Sequence, residues 1–293
     1  MQGGDAGGRL ALAGIRGALI RQEDSIVFAL IERSQFARNA PIYARGGEPG
    51  ALPVPGFDAR TGERASLLEF FLRQTEALHG GLRRYTAPDE SPFFPAALAD
   101  PLLALPPAAF PGDEALWPGH KGINLNGEVM RLYVEELVPG VAPPGDCGNY
   151  GSATLLDIAA LQALSKRIHY GKFVAEAKWR ADEARYAELA ARGDAAGILE
   201  ALTDETVERK VVARVTNKAA VFGGEVREVM GTLTVAEKGG GGGGGGGGDG
   251  AAVKVPPELI GELYARWVMP LTKEVQVAYL LQRGGAGGGG GAG

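Results

Sequence analysis

RLALAGIRGALIRQEDSIVFALIERSQFA, residues 9–37, carries the reading of the fold. Leu12, Ile15, Leu19, Ile26, Leu30 and Ile31 recur in it at spacings of three, four and seven residues. That is one face of an amphipathic helix, ~43 Å long if unbroken. The following stretch, 39–64, is rich in Gly and Pro and reads as a loop. Ser66, with Glu69 three residues on, has the form of a capping box and opens a helix expected to run to about Tyr85. Residues 86–125 read as mostly irregular, with a short helix after them at 126–138. A Pro/Gly stretch at 139–151 leads to Ser152, the expected cap of a second long helix reaching about Ala181. Three shorter helices are predicted over 183–221, with breaks near Gly193–Asp194 and Thr203–Asp204. The segment GGEVREVMGTLTVAEK, 223–238, fits a strand or an extension of the helical region equally well. A last helix is predicted over 257–283, entered through Pro256–Pro257. Nearly every element is helical, so the predicted class is all-α, a single-domain bundle with long helices packed side by side.

Composition narrows the function. The chain has 293 residues and 47 glycines, 11 of them in 239–250 and eight in 284–293. Outside these runs it is an ordinary globular sequence. The expected organisation is a flexible N-terminus over 1–8, a folded unit over 9–283 interrupted by a flexible polyglycine insertion at 239–250, and a disordered tail over 284–293. A net charge of −5 gives no electrostatic reason to expect nucleic acid or an anionic membrane. One cysteine, Cys147, forms no intramolecular disulfide, and His79, His120 and His169 are scattered, so no metal site is expected. The apolar window 92–112 is cut by six prolines and carries Asp100, which excludes a membrane span. The first residues have neither the basic nor the apolar region of a secretory signal, and the expected compartment is the cytoplasm, with the plastid stroma if a transit peptide was removed.

Four helical segments carry polar residues on one face. Arg167 and Lys178 are eleven residues apart and so only about 20° from eclipsed on one helix. Asp204 and Glu208, and likewise Thr272 and Gln276, are four apart. Arg16 lies beside Ile15 and two glycines. Facing inward, such groups would bind a small, multiply anionic ligand, because guanidinium and ammonium groups recognise carboxylates by charge and hydrogen bonding. On spacing alone, each is more often a solvated or ion-paired surface residue. No nucleophile–base pattern or phosphate-binding loop competes with them.

The stretches IRGALIRQEDSIVFALIERSQF (15–36), PDESPFFP (88–95), GNYGSATLLDIAALQALSKRIHYGKFVAEAKWR (148–180) and MPLTKEVQVAYLLQR (269–283) together resemble the eukaryotic, all-helical, allosteric chorismate mutases. The resemblance runs from about residue 9 to 283, apart from the glycine insertion. It implies a unimolecular Claisen rearrangement of chorismate to prephenate, on the way to phenylalanine and tyrosine, with no cofactor. A dicarboxylate is held in a compact conformer while negative charge grows on its ether oxygen, which calls for preorganised cations and donors. By resemblance, Arg16 and Arg167 match the arginines on the two carboxylates and Lys178 the donor to the ether oxygen. Glu208 matches the acid on the ring hydroxyl, and Thr272 a hydroxyl supporting a carboxylate. Gln276 also belongs at the ether oxygen, where fungal members have a glutamate. An amide donates at every pH, so no acid requirement is expected there. Asp204 sits at a variable position, and an anion near a dianionic substrate is unfavourable, so it stays outside the catalytic set.

The resemblance also implies a homodimer with an effector pocket at its interface for Trp, Tyr or Phe. Arg83 and Arg84 match its arginine pair, and Asn149, Gly151 and Ser152 its turn at a helix N-terminus, where free N–H groups suit a carboxylate. Two other functions fit a helical bundle. A non-catalytic amino-acid sensor would have no reason to keep Arg16, Arg167, Lys178, Glu208, Thr272 and Gln276 together. A protein-interaction scaffold would leave them exposed.

Overall fold

The computed structural model describes residues 12–55, 64–102, 104, 115–238 and 255–287. Every regular element among them is a helix, in agreement with the all-α expectation. The expectations for 1–8, 239–250 and the end of the tail beyond 287 lie outside the described residues.

Helix α1 (Leu12–Arg33) buries Ile15, Ile26, Leu30 and Ile31 as the spacing requires. It stops four residues short of the expected end, because the Arg33 side chain turns back onto the chain that follows. Its guanidinium donates to the carbonyls of Phe36, Ala37 and Arg38, which fixes the irregular turn that leaves the helix. Helix α2 (Leu67–Gly81) has the predicted capping box in full: Ser66 Oγ accepts from Glu69 N at 3.1 Å, and Glu69 Oε2 accepts from Ser66 N at 2.9 Å. The chain then leaves the helix sooner than expected, through a left-handed residue, Arg83 (φ 62°), into a 3-10 turn at Arg84–Thr86.

Helix α3 (Asn126–Leu132) continues through a π-turn (Tyr133–Leu137) into a last turn, Val138–Val141. Helix α4 (Tyr150–His169) is followed by α5 (Gly171–Ala181), with Tyr170 at the junction. The expected cap at Ser152 is corrected here: Asn149 flanks the helix, makes no side-chain capping bond, and Ser152 is the third helical residue. Two short helices follow, α6 (Glu183–Ala191) and α7 (Ala195–Leu202), capped by Asp182 and Asp194. The expected third short helix is instead the longest of all, α8 (Glu205–Lys238), which settles 223–238 as helix rather than strand. Asp204 opens it by accepting from Thr206 N and Val207 N, both at 3.1 Å.

Helix α9 (Pro257–Leu263) passes through a second π-turn (Tyr264–Val268) into α10 (Met269–Gly287). Both π-turns end two residues before a proline, Pro139 and Pro270. A proline lacks the N–H and its ring crowds the carbonyl four residues back, so widening the preceding turn keeps each helix running. The last helix also carries on over Gly284–Gly287, into the region expected as a disordered tail. Gly284 fits there by lacking a side chain, since a Cβ would collide with that of Ala190 on α6.

The core joins residues of all ten helices' buried faces except the start of α1, where Ile15 packs instead with Ala177 of α5 in a small cluster of its own. Helix α1 lies along α4, and α10 runs through the middle against α4, α5, α6 and α7. A buried carboxylate, Asp157, fastens α1 to α4. It accepts from Arg33 Nε at 2.6 Å, Tyr43 OH at 2.8 Å and Tyr133 OH at 2.7 Å. Glu176 does the same for α5 and α10, accepting from Tyr279 OH and Arg180 Nε, both at 2.6 Å, and from Arg283.

Candidate active site

The site lies where α4, α5 and α10 meet. Arg167, near the end of α4, is 4% exposed, and Thr272 and Gln276, one turn apart on α10, are 6% and 7% exposed. Arg167 Nη1 donates to Thr272 Oγ1 at 3.3 Å, and its guanidinium carbon lies 5.9 Å from the centre of the Tyr264 ring. Thr272 Oγ1 donates in turn to Val268 O at 2.6 Å, inside the π-turn, and Gln276 Nε2 donates to Thr272 O at 3.2 Å. The widened turn before Pro270 thus presents Tyr264 and Thr272 to one guanidinium.

Arg167 is short of partners. Its Nε is buried without a hydrogen bond, and it forms no ion pair with any described carboxylate. A buried cation costs free energy unless an anion compensates it, so this arrangement is suited to a ligand carboxylate.

Lys178, three turns on in α5, is half-buried, with Nζ 3.5 Å from the carbonyl of Ala201 in α7. Burial holds its pKa below that of a free lysine. The Asp204 carboxylate opposes this, and the Arg185 and Arg16 guanidinium charges add to it. Arg16 is exposed and makes no direct contact with the others, yet the Ile15–Ala177 cluster places the sequence neighbours of Arg16 and Lys178 side by side. Glu208, on the first turns of α8, is paired with Lys273 of α10 at 2.8 Å. The structure therefore brings Arg167, Thr272 and Gln276 into contact, sets Arg16 within electrostatic reach of Lys178, and couples Glu208 to the α10 wall through Lys273. Burial of the central three is the opposite of what a scaffold surface would show.

Sequence reasoning missed three contributors. Tyr264 has no motif, and only the π-turn turns its ring to Arg167. Arg185 follows Lys178 by seven residues, but the break at Asp182 hides their proximity. Asp204, set aside as an unfavourable anion, is the cap of α8, and its charge offsets the cations around Lys178.

The expected effector residues form two groups. Arg84 pairs with Glu90 at 3.1 Å and donates to Gln162 Oε1 at 3.0 Å, and its Nη1 lies 3.0 Å from His79 Nδ1. Arg83 occupies the left-handed turn beside it. Asn149, Gly151 and Ser152 sit at the start of α4 on a turn anchored to the chain six residues after α1, where Asn39 Oδ1 accepts from Cys147 N at 2.8 Å. Gln162 lies ten residues beyond Ser152 on α4, ~15 Å along the axis, so one chain does not bring the two groups together.

Residues 149–277 match the family model for chorismate mutase type II. The chain is 43% identical over 272 residues to chorismate mutase 1, chloroplastic, of Petunia hybrida, covering 93% of this chain and 75% of that one. It is 39% identical over 277 residues to chorismate mutase 2, cytosolic, of Zea mays, covering 94% and 97% of the two. Among solved structures, the Aro7p chorismate mutase of Candida albicans in complex with L-Trp superposes with a TM-score of 0.76 at 40% identity, covering 94% of this chain and 92% of that one. With buried cations and donors gathered on three helices of the same fold, this chain belongs to the chorismate mutase family.

Proposed function

We propose that this chain rearranges chorismate to prephenate at the α4–α5–α10 site, with Arg167 and Arg16 on the two carboxylates. In the reaction the ether C–O bond breaks as a new C–C bond forms within one molecule, and negative charge gathers on the departing oxygen. Lys178 and Gln276 donate to that oxygen, Glu208 accepts from the ring hydroxyl, and Thr272 keeps the Arg167 guanidinium in place. The buried guanidinium of Arg167, with an orphaned Nε and no carboxylate partner among the described residues, is the observation that carries this reading. The test follows the loss of chorismate absorbance. Lys178→Ala is expected to fold and to lose on the order of 3–4 kcal/mol of barrier lowering. Near-normal turnover in that variant would remove Lys178 from the mechanism.

Regulation is proposed at a second site formed by two copies of the chain. Arg83 and Arg84 would supply charge, and Asn149, Gly151 and Ser152 a helix N-terminus, to the ends of an aromatic amino acid. Their separation within one chain supports a pocket completed by a partner. So does the apolar surface on α2 and α4, where Leu78 is 73% and Leu155 67% exposed, with Phe71 and Leu82 also outward. Light scattering of the purified chain should give a dimer mass. Turnover measured with Trp, Tyr and Phe added separately tests the pocket, and three flat responses would refute it. Relatives carry both chloroplastic and cytosolic designations. The cytoplasm is the proposed compartment, with the plastid stroma as the alternative, and fractionation of the source cells decides between them. Among the described residues no helix is long and apolar enough to cross a membrane.

A further inference from the structure

Gly171 opens α5 and is buried. It is not among the glycines with positive φ, so conformational freedom does not explain it. Space does. A Cβ at this position would lie 2.7 Å from the Thr272 carbonyl oxygen, 3.2 Å from Thr272 Cγ2 and 3.3 Å from Gln276 Cγ. Other described glycines also have no room for a side chain, but their closest neighbours are side-chain atoms of Trp117, Asp194, Thr216 and Ala190. At Gly171 the obstacle is a backbone carbonyl in the middle of a helix, which cannot rotate aside.

That carbonyl is the acceptor for Gln276 Nε2, and the same residue's hydroxyl accepts from Arg167. We infer that Gly171 is a positioning residue: its bare Cα lets α10 settle against α5 at the separation that aims Thr272 and Gln276 at the substrate. The inference rests on the catalytic reading of those two residues. Adding one methyl group pushes α10 outward by a fraction of an ångström, carrying both polar groups with it. Displacements of this size are enough to cost an enzyme much of its rate.

The experiment is a double-mutant cycle on the full chain. Gly171→Ala is expected to lower kcat/KM roughly tenfold or more while the thermal unfolding midpoint stays near that of the wild type. In a Thr272→Ala/Gln276→Ala background the same substitution is expected to change kcat/KM less than about twofold, because the groups it displaces are gone. Equal losses in the two backgrounds, or an unaffected Gly171→Ala enzyme, would overturn the inference. So would a Gly171→Ala chain that fails to fold while the Thr272→Ala/Gln276→Ala chain folds, since the glycine would then serve the fold alone. Wild-type turnover is the control: an inactive wild type defeats the catalytic reading, whereas an active wild type with an indifferent Gly171 defeats only this inference.

Discussion

Two buried arginines separate what holds this molecule together from what it holds. Arg33 is fully buried and finds a partner for each of its nitrogens: Asp157, Tyr43 and the carbonyls of Phe36, Ala37 and Arg38. Arg167 is almost as buried but has one long hydrogen bond to a hydroxyl, one ring face and an orphaned Nε. Both lie near the end of a long helix. The first belongs to a closed network that stabilises only as a complete set, and the second has no compensating anion among the described residues.

Breaking the closed network should give the largest change. Arg33→Met leaves Asp157 buried among two tyrosines with no cation, and is expected to cost about 3–5 kcal/mol of stability. Urea unfolding measures it. The Asp157 carboxyl already has its pKa raised, mainly by burial, with Arg33 the first of the groups opposing that rise. Removing Arg33 should therefore raise it further. A loss below about 1 kcal/mol would mean that the network is not closed.

Arg167→Met is the converse. It removes a charge that the folded protein bears without compensation, so stability should hold or rise slightly. Turnover of chorismate should fall on the order of several hundredfold, the equivalent of about 3–4 kcal/mol. Steady-state kinetics beside a thermal melt checks both halves, and a strongly destabilised variant would move Arg167 into the same class as Arg33.

The contrast was only half legible before the structure. Period and capping found α1, α2 and the breaks at Asp194 and Asp204, because those features are local. The full extent of α8 was not, since GGEVREVMGTLTVAEK carries three glycines and β-branched residues that favour neither state, and propensity gave no decision. Spacing placed Arg167 and Lys178 on one face, yet the junction at Tyr170 and the two π-turns lie beyond any 3.6-residue count. Resemblance named the candidate catalytic set. It did not reveal that Tyr264 backs Arg167, that Glu208 is tied to Lys273, or that Gly171 sits against Thr272. These are contacts between helices a hundred residues apart in sequence for Arg167 and Gly171, and no local pattern encodes them.

A third buried cation sharpens the comparison. Lys172 is 2% exposed with no hydrogen-bond or ionic partner among the described residues, and burial alone lowers its pKa to about 8. Below that pH both the folded and unfolded chains hold the proton, and the folded state bears the full penalty. Between about 8 and the unfolded value of 10.5 only the unfolded chain is protonated, so stability rises with pH across this window. Lys172→Met should abolish the rise and stabilise the protein at pH 7 by on the order of 2–3 kcal/mol. Denaturant unfolding at pH 7, 9 and 10 reads it, and parallel pH profiles for the two proteins would show that Lys172 is solvated in the folded state.

The smallest effect belongs to a cation at the surface of the site. Lys273 and Glu208 are each partly exposed, 23% and 30%, and meet at 2.8 Å between α10 and α8. Solvent screens such a pair, so Lys273→Ala should change stability by no more than about 1 kcal/mol, and less in high salt. Its use lies in what it does to Glu208. If that carboxylate accepts from the ring hydroxyl of chorismate, Lys273 competes with the substrate for it while also fixing its rotamer. Removing the lysine then alters KM several-fold with kcat nearly constant, and has no effect once Glu208 is replaced by Ala. A change in kcat/KM that persists in the Glu208→Ala background would assign Lys273 its own contact with the substrate and extend the open, ligand-directed class of cations from Arg167 to α10.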